Sequence, residues 1–153
     1  MTQPPGWIGT RAGMPTQGAR AQRTRTVSMQ DIEAFTQISG DRNPLHYDEA
    51  AAKASRFGGL IVQGGVTSGL LNAVVAEDLP GPGTVFLSVE WAFTKAVYVG
   101  DTITATVEVL TVREDKPICT LATTITNQHG EVCLQGKAST YTTALSATPL
   151  IGG

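Results

Sequence analysis

Residues 64–83 read GGVTSGLLNAVVAEDLPGPG, and the apolar period changes across this stretch. Val66, Leu70, Leu71, Val74 and Val75 recur at intervals of three and four, which predicts a helix over about 65–77, apolar enough to be buried on most sides. Leu79-Pro80-Gly81-Pro82-Gly83 ends that helix, because proline and glycine cannot sustain its hydrogen bonding. Beyond the break the period falls to two. Ile103, Ala105, Val107 and Val109 give the clearest alternation, and strands are expected at about 84–93, 99–113, 117–127 and 131–142.

The connections between these strands are short and polar. Arg113 to Lys116 precedes Pro117, and Asn127-Gln128-His129-Gly130 reads as a hairpin loop closed by glycine. Three strands therefore form a consecutive antiparallel meander, with two more needed beside them. A buried helix next to long twisting strands satisfies both partners when the sheet wraps the helix. The expected fold is α+β, a single hot-dog arrangement of about five antiparallel strands. A strand left open at the sheet edge favours a homodimer.

Upstream of the decisive stretch, Ser28 with Asp31 three residues later suits a helix start, and Ile32, Phe35 and Ile38 follow at helical spacing. This helix, at about 29–38, stops at Ser39-Gly40. Pro44 disfavours helical geometry at Asn43, so Asp41 to His46 form an irregular turn, and a second short helix is expected at about 48–54. Residues 1–19 carry Pro4, Pro5 and Pro15 and read as a loose tail, 20–145 as the folded domain, and 146–153 as a second loose tail. The arginines of residues 1–25 weakly resemble a transit peptide, but the prolines interrupt any continuous amphipathic helix.

The 153 residues, 41% of them apolar, suit one domain. A net charge of −2 with 16% charged residues offers no basic field for nucleic acid. The most apolar region, Leu60 to Leu79, is broken by Gln63, Thr67, Ser68, Asn72 and Glu77, so no membrane span is expected. Cys119 and Cys133 lie on neighbouring strands out of register, with Cys119 opposite a residue near 138, and are expected as free thiols in a reducing, cytoplasmic setting. Gly64-Gly65 lacks the Lys-Ser/Thr of a phosphate-binding loop.

Chemistry concentrates at Asp41-Arg42-Asn43-Pro44-Leu45-His46-Tyr47-Asp48, where an acid and an imidazole stand five residues apart on a turn stiffened by proline. Sharing one water, such a pair orients it and takes its proton. By spacing alone, Asp41 equally suits a capped turn and His46 a packed side chain. A metal site would need Asp41, His46, Asp48 and a further ligand that the neighbourhood lacks.

This segment resembles the hallmark of the MaoC-like hydratase family, which includes the R-specific enoyl-CoA hydratases. The likeness spans about residues 20–143, through Ile61-Val62-Gln63-Gly64, Leu79-Pro80-Gly81, Val99-Gly100-Asp101 and Arg113-Glu114-Asp115-Lys116-Pro117. It implies that Asp41 and His46 activate a water, and that the Gly64 N–H meets the thioester oxygen, with no metal or redox cofactor. Asn43, Gln63 and Gly65 are implied as supporting or substrate-binding residues, while Asn72, where some relatives carry Ser, reads either as such a residue or as a satisfied buried amide. Gln63 stands where the family commonly has His, and Ala96 where it commonly has Pro. The implied reaction is reversible hydration of a trans-2-enoyl-CoA to the (R)-3-hydroxyacyl-CoA by a homodimer. Other readings compatible with the fold are a 3-hydroxyacyl-ACP dehydratase acting on an acyl-carrier-protein thioester, an acyl-CoA thioesterase, and a non-catalytic acyl-CoA-binding module. Arg42, Lys53, Arg56, Lys95 and Lys116 are scattered cations with no assigned role.

Overall fold

The computed structural model describes residues 2–145. Its frame is one five-stranded antiparallel sheet formed by β1 (Arg20–Thr26), β2 (Thr84–Phe93), β3 (Thr102–Val112), β4 (Ile118–Thr126) and β5 (Val132–Thr142), in the order β1-β3-β4-β5-β2. The meander β3–β4–β5 is the expected one. Ile103, Ala105, Val107 and Val109 are all fully buried, and they turn the inner face of β3 toward the helices. The two cysteines are free and buried, with Cys119 opposite Thr140.

The strand that the alternation leaves unlocated is β1. Its residues, Arg-Ala-Gln-Arg-Thr-Arg-Thr, include one apolar side chain, and the strand pairs along the edge of β3. Charged side chains are common on sheet edges, where they discourage further pairing, and they erase the apolar alternation that marks an inner strand.

Four helices pack against the inner face and beside it: α1 (Met29–Ser39), α2 (Pro44–Tyr47), α3 (Glu49–Ala54) and α4 (Gly64–Ala73), the last continuing as a π-helical turn over Val74–Asp78. Ser28 and Asp31 close a reciprocal capping box at the start of α1. At its end Gly40 takes φ 78°, a left-handed conformation that glycine adopts without a Cβ clash, and its N–H bonds Thr36 O at 2.7 Å.

Two expectations need correction. Residues 2–19 are not a loose tail: Trp7 is fully buried in the core, its Nε1–H donates to Arg113 O at 2.6 Å, and the Gly6 N–H donates to Glu114 O at 2.8 Å. Burial of one indole anchors a segment whose composition otherwise reads as coil. The expected tail at 146–153 lies outside the described residues. The second correction concerns α4, which is not buried on most sides. Thr67 and Leu71 face the core, while Gly69 and Asn72 are exposed, because a glycine and an amide interrupt the apolar stripe there.

Candidate active site

The turn after α1 is fixed by short-range hydrogen bonds. The Asp41 N–H donates to Ser39 Oγ at 3.1 Å, the Asn43 N–H to Asp41 Oδ1 at 3.0 Å, and the Leu45 N–H to Asn43 Oδ1 at 3.1 Å. Asn43 thus caps α2, with Pro44 in the first helical turn where a missing N–H costs nothing. Asp48 repeats the device for α3 by accepting from the Ala51 N–H.

These caps bring Asp41 and His46 together. His46 is buried, and its Nδ1 lies 2.7 Å from Ile61 O, an acceptor only, so Nδ1 donates and the lone pair of the neutral tautomer this selects is on Nε2. Nε2 stands 3.5 Å from Asp41 Oδ2. That gap is too wide for a good direct hydrogen bond and suits a pair of acceptors converging on one small molecule. Asp41 is the more open of the two, with 38% of its side chain exposed against 8% for His46.

Thr36, which the motif reading passed over, is the hub behind this turn. Its hydroxyl donates to Asp41 O at 2.8 Å and accepts from the Gln63 amide at 3.2 Å, and it also bonds the Tyr47 hydroxyl. Only its place four residues after Ile32 on the inward stripe of α1 marks it in the sequence.

Gln63 is buried at the N-cap position of α4, and its Nε2 also donates to Ile32 O at 3.1 Å, while its Oε1 has no partner among the described residues. Gly64 and Gly65 open α4, and among the described residues neither N–H has an acceptor. Such orphan donors, at the positive end of a helix dipole, attract a developing negative charge. The two glycines differ in surroundings. A Cβ on Gly64 would lie 2.8 Å from the exposed Phe93 ring, whereas one on Gly65 would stand 2.0 Å from the Phe35 ring of α1. Gly65 therefore lets α1 and α4 approach. Asn72 is exposed two turns further along α4, away from this region.

Gly64 borders a cleft of about 310 Å³, whose walls include Ile61, Thr67, Phe93, Lys95 and Cys133. Asp41 and His46 do not line it; the Ile61 residue that bonds His46 does. Burial, with a smaller push from Asp101 and Glu131, raises the Cys133 thiol above its ordinary range, so it is protonated near neutral pH and a poor nucleophile. Lys95 is paired with Glu131 at 3.2 Å. The remaining scattered cations, Arg42, Lys53, Arg56 and Lys116, do not border this cleft.

The MaoC like domain matches residues 11–130, most of the chain. This chain belongs to that family. An (R)-specific enoyl-CoA hydratase of Aeromonas caviae is 39% identical over 121 residues, covering 79% of this chain and 90% of the relative. A mitochondrial 3-hydroxyacyl-[acyl-carrier-protein] dehydratase of Arabidopsis thaliana is 32% identical over 121 residues, covering 77% and 72%. Among solved structures, the (R)-hydratase from A. caviae superposes with a TM-score of 0.81 at 36% identity, covering 84% of this chain and 98% of its own. The MaoC-like chain thus has the hot-dog fold, with α4 as the helix against the curved sheet.

Proposed function

We propose that this MaoC-like protein is a hydro-lyase that reversibly hydrates trans-2-enoyl-CoA to (R)-3-hydroxyacyl-CoA. The observation that carries the reading is the Asp41–His46 pair, with the His46 tautomer set by Ile61 O and Nε2 turned to Asp41 across 3.5 Å. Support comes from relatives named for this reaction.

In the forward direction a water donates one O–H to His46 Nε2 and the other to Asp41 Oδ2, leaving a lone pair to attack C3 of the enoyl group. His46 takes a proton as the C–O bond forms. The electron pair of the double bond moves through C2 onto the thioester oxygen, where the Gly64 N–H and the α4 dipole meet the charge. As the enolate collapses, His46 returns that proton to C2, which completes the addition of one water and restores the neutral imidazole. Dehydration is the same path reversed.

The carrier is CoA in this reading. The plant relatives named as acyl-carrier-protein dehydratases support a second one, in which the thioester is borne by a carrier protein. Rates with crotonyl-CoA and with the carrier-bound crotonyl thioester decide between them.

We also place the enzyme as a homodimer built across β2. Among the described residues no strand pairs with its outer edge, and Val85, Leu87, Val89 and Phe93 are 43–59% exposed, an apolar display that isolated edge strands avoid. Its two free cysteines suit a reducing, cytoplasmic compartment.

The deciding experiment follows hydration of crotonyl-CoA by the wild type and by Asp41→Asn, with chiral assignment of the product. An (R) product and a loss of about 10²–10⁴-fold in the variant are expected. An (S) product, or an undiminished variant, overturns the mechanism.

A further inference from the structure

The inner face of the sheet continues past the cleft in rows. The register sets Phe93 beside Leu134 and Ile125, then Trp91 beside Gly136 and Thr123, then Val89 beside Ala138 and Leu121. Consecutive rows lie about 7 Å apart along the strands. The Phe93 row is the cleft wall, since that ring rests against Gly64.

In the next row Gly136 has no side chain, and the Trp91 Nε1–H donates to Thr123 Oγ1 at 2.9 Å. β2 and β4 are separated by the whole of β5, about 10 Å, so the indole can reach Thr123 only by lying over Gly136. Phe86 braces it, ring edge to ring face, with centroids 5.8 Å apart at 90°. A tethered and braced aromatic side chain thus crosses the face one row along the strands from the Phe93 wall of the cleft. The indole therefore stands across any alkyl chain that runs along this face from the Phe93 row toward Val89 and Ala138.

We propose that Trp91, held by Thr123 and Phe86, is the floor of the acyl site and restricts the enzyme to short-chain enoyl thioesters. A crotonyl tail ends before the indole, and a tail several carbons longer meets its face. This inference rests on the hydratase reading and adds to it the class of acyl chain.

The test compares kcat/KM for crotonyl-CoA and trans-2-octenoyl-CoA in the wild type, Trp91→Leu and Thr123→Val. The wild type should prefer crotonyl-CoA. Trp91→Leu should raise the octenoyl-to-crotonyl ratio of kcat/KM by at least about tenfold, the scale on which a hydrophobic pocket discriminates chain length. Thr123→Val, which frees the indole without removing it, should shift the ratio the same way by less, and it carries the test if Trp91→Leu does not fold. Equal use of both substrates by the wild type overturns the proposal, as does an unchanged ratio in the folded variants. A wild type that hydrates neither substrate refutes the hydratase reading itself, a result separable from the other two.

Discussion

The Thr36 hydroxyl donates to the backbone carbonyl of Asp41 at 2.8 Å, joining the buried face of α1 to the turn that carries the acid. With Gln63 and Tyr47 also bonded to it, Thr36 fixes where the Asp41 main chain sits. Thr36→Val should lower kcat by about ten- to a hundredfold, the usual cost of a small displacement of a reacting group, with KM nearly unchanged. Thr36→Ser keeps the hydroxyl and should restore most of the rate. A valine variant with wild-type kcat would show that the hub serves folding alone.

His46→Asn retains a side-chain N–H able to reach Ile61 O but has no basic nitrogen to face Asp41. Steady-state hydration should fall by about 10²–10⁴-fold while the thermal midpoint stays close to that of the wild type. Retained activity would remove His46 from the chemistry.

Gly64→Ala and Gly65→Ala should fail in opposite ways. The Phe93 ring against Gly64 is exposed and free to turn, so the first variant should fold normally and lose turnover as the approach to the N–H is crowded. The second drives a methyl into Phe35 between two packed helices and should lose about 1–3 kcal/mol in urea denaturation. Reversed phenotypes would contradict the division of labour between these glycines.

Asp31 is held below the usual carboxylate range, first by its hydrogen bond to Arg25 and then by the Ser28 N–H, against an opposing push from burial. A folded pKa below the unfolded one gives stability that is present above the unfolded value and lost as pH falls through the folded one. Asp31→Asn should therefore be less stable than the wild type by about 1–2 kcal/mol at pH 7, with the gap closing below about pH 4. Denaturation at both pH values checks this, and a gap that persists at low pH would assign the loss to something other than ionisation.

Replacing Val85 and Leu87 together by Lys should convert the protein to a monomer in light scattering after gel filtration. Like charges facing one another across a symmetric edge repel. An unchanged mass would place any self-association elsewhere.

The inner strands were legible because one buried face imposes strict alternation, and β2 falls on the expected 84–93. β1 was not, since an edge strand with a single alanine has no pattern to read, and Trp7 was hidden in a segment rich in proline and glycine. The nearness of Asp41 to His46 could be anticipated from a turn stiffened by Pro44. Thr36 and Tyr47 could not, because a hydroxyl on an amphipathic helix looks the same whether it meets solvent or a partner distant in sequence. Trp91 reads as one more apolar strand residue until the register sets it beside a glycine.

Ile61 O and the Gly64 N–H are three residues apart on one short stretch of chain, the first bonded to the imidazole and the second open to the cleft. In the proposed mechanism the base and the oxyanion donor are thus mounted on a common ruler. Because His46 is tied to this stretch through Ile61 O, a displacement of residues 61–64 moves the proton acceptor and the oxyanion donor in the same sense.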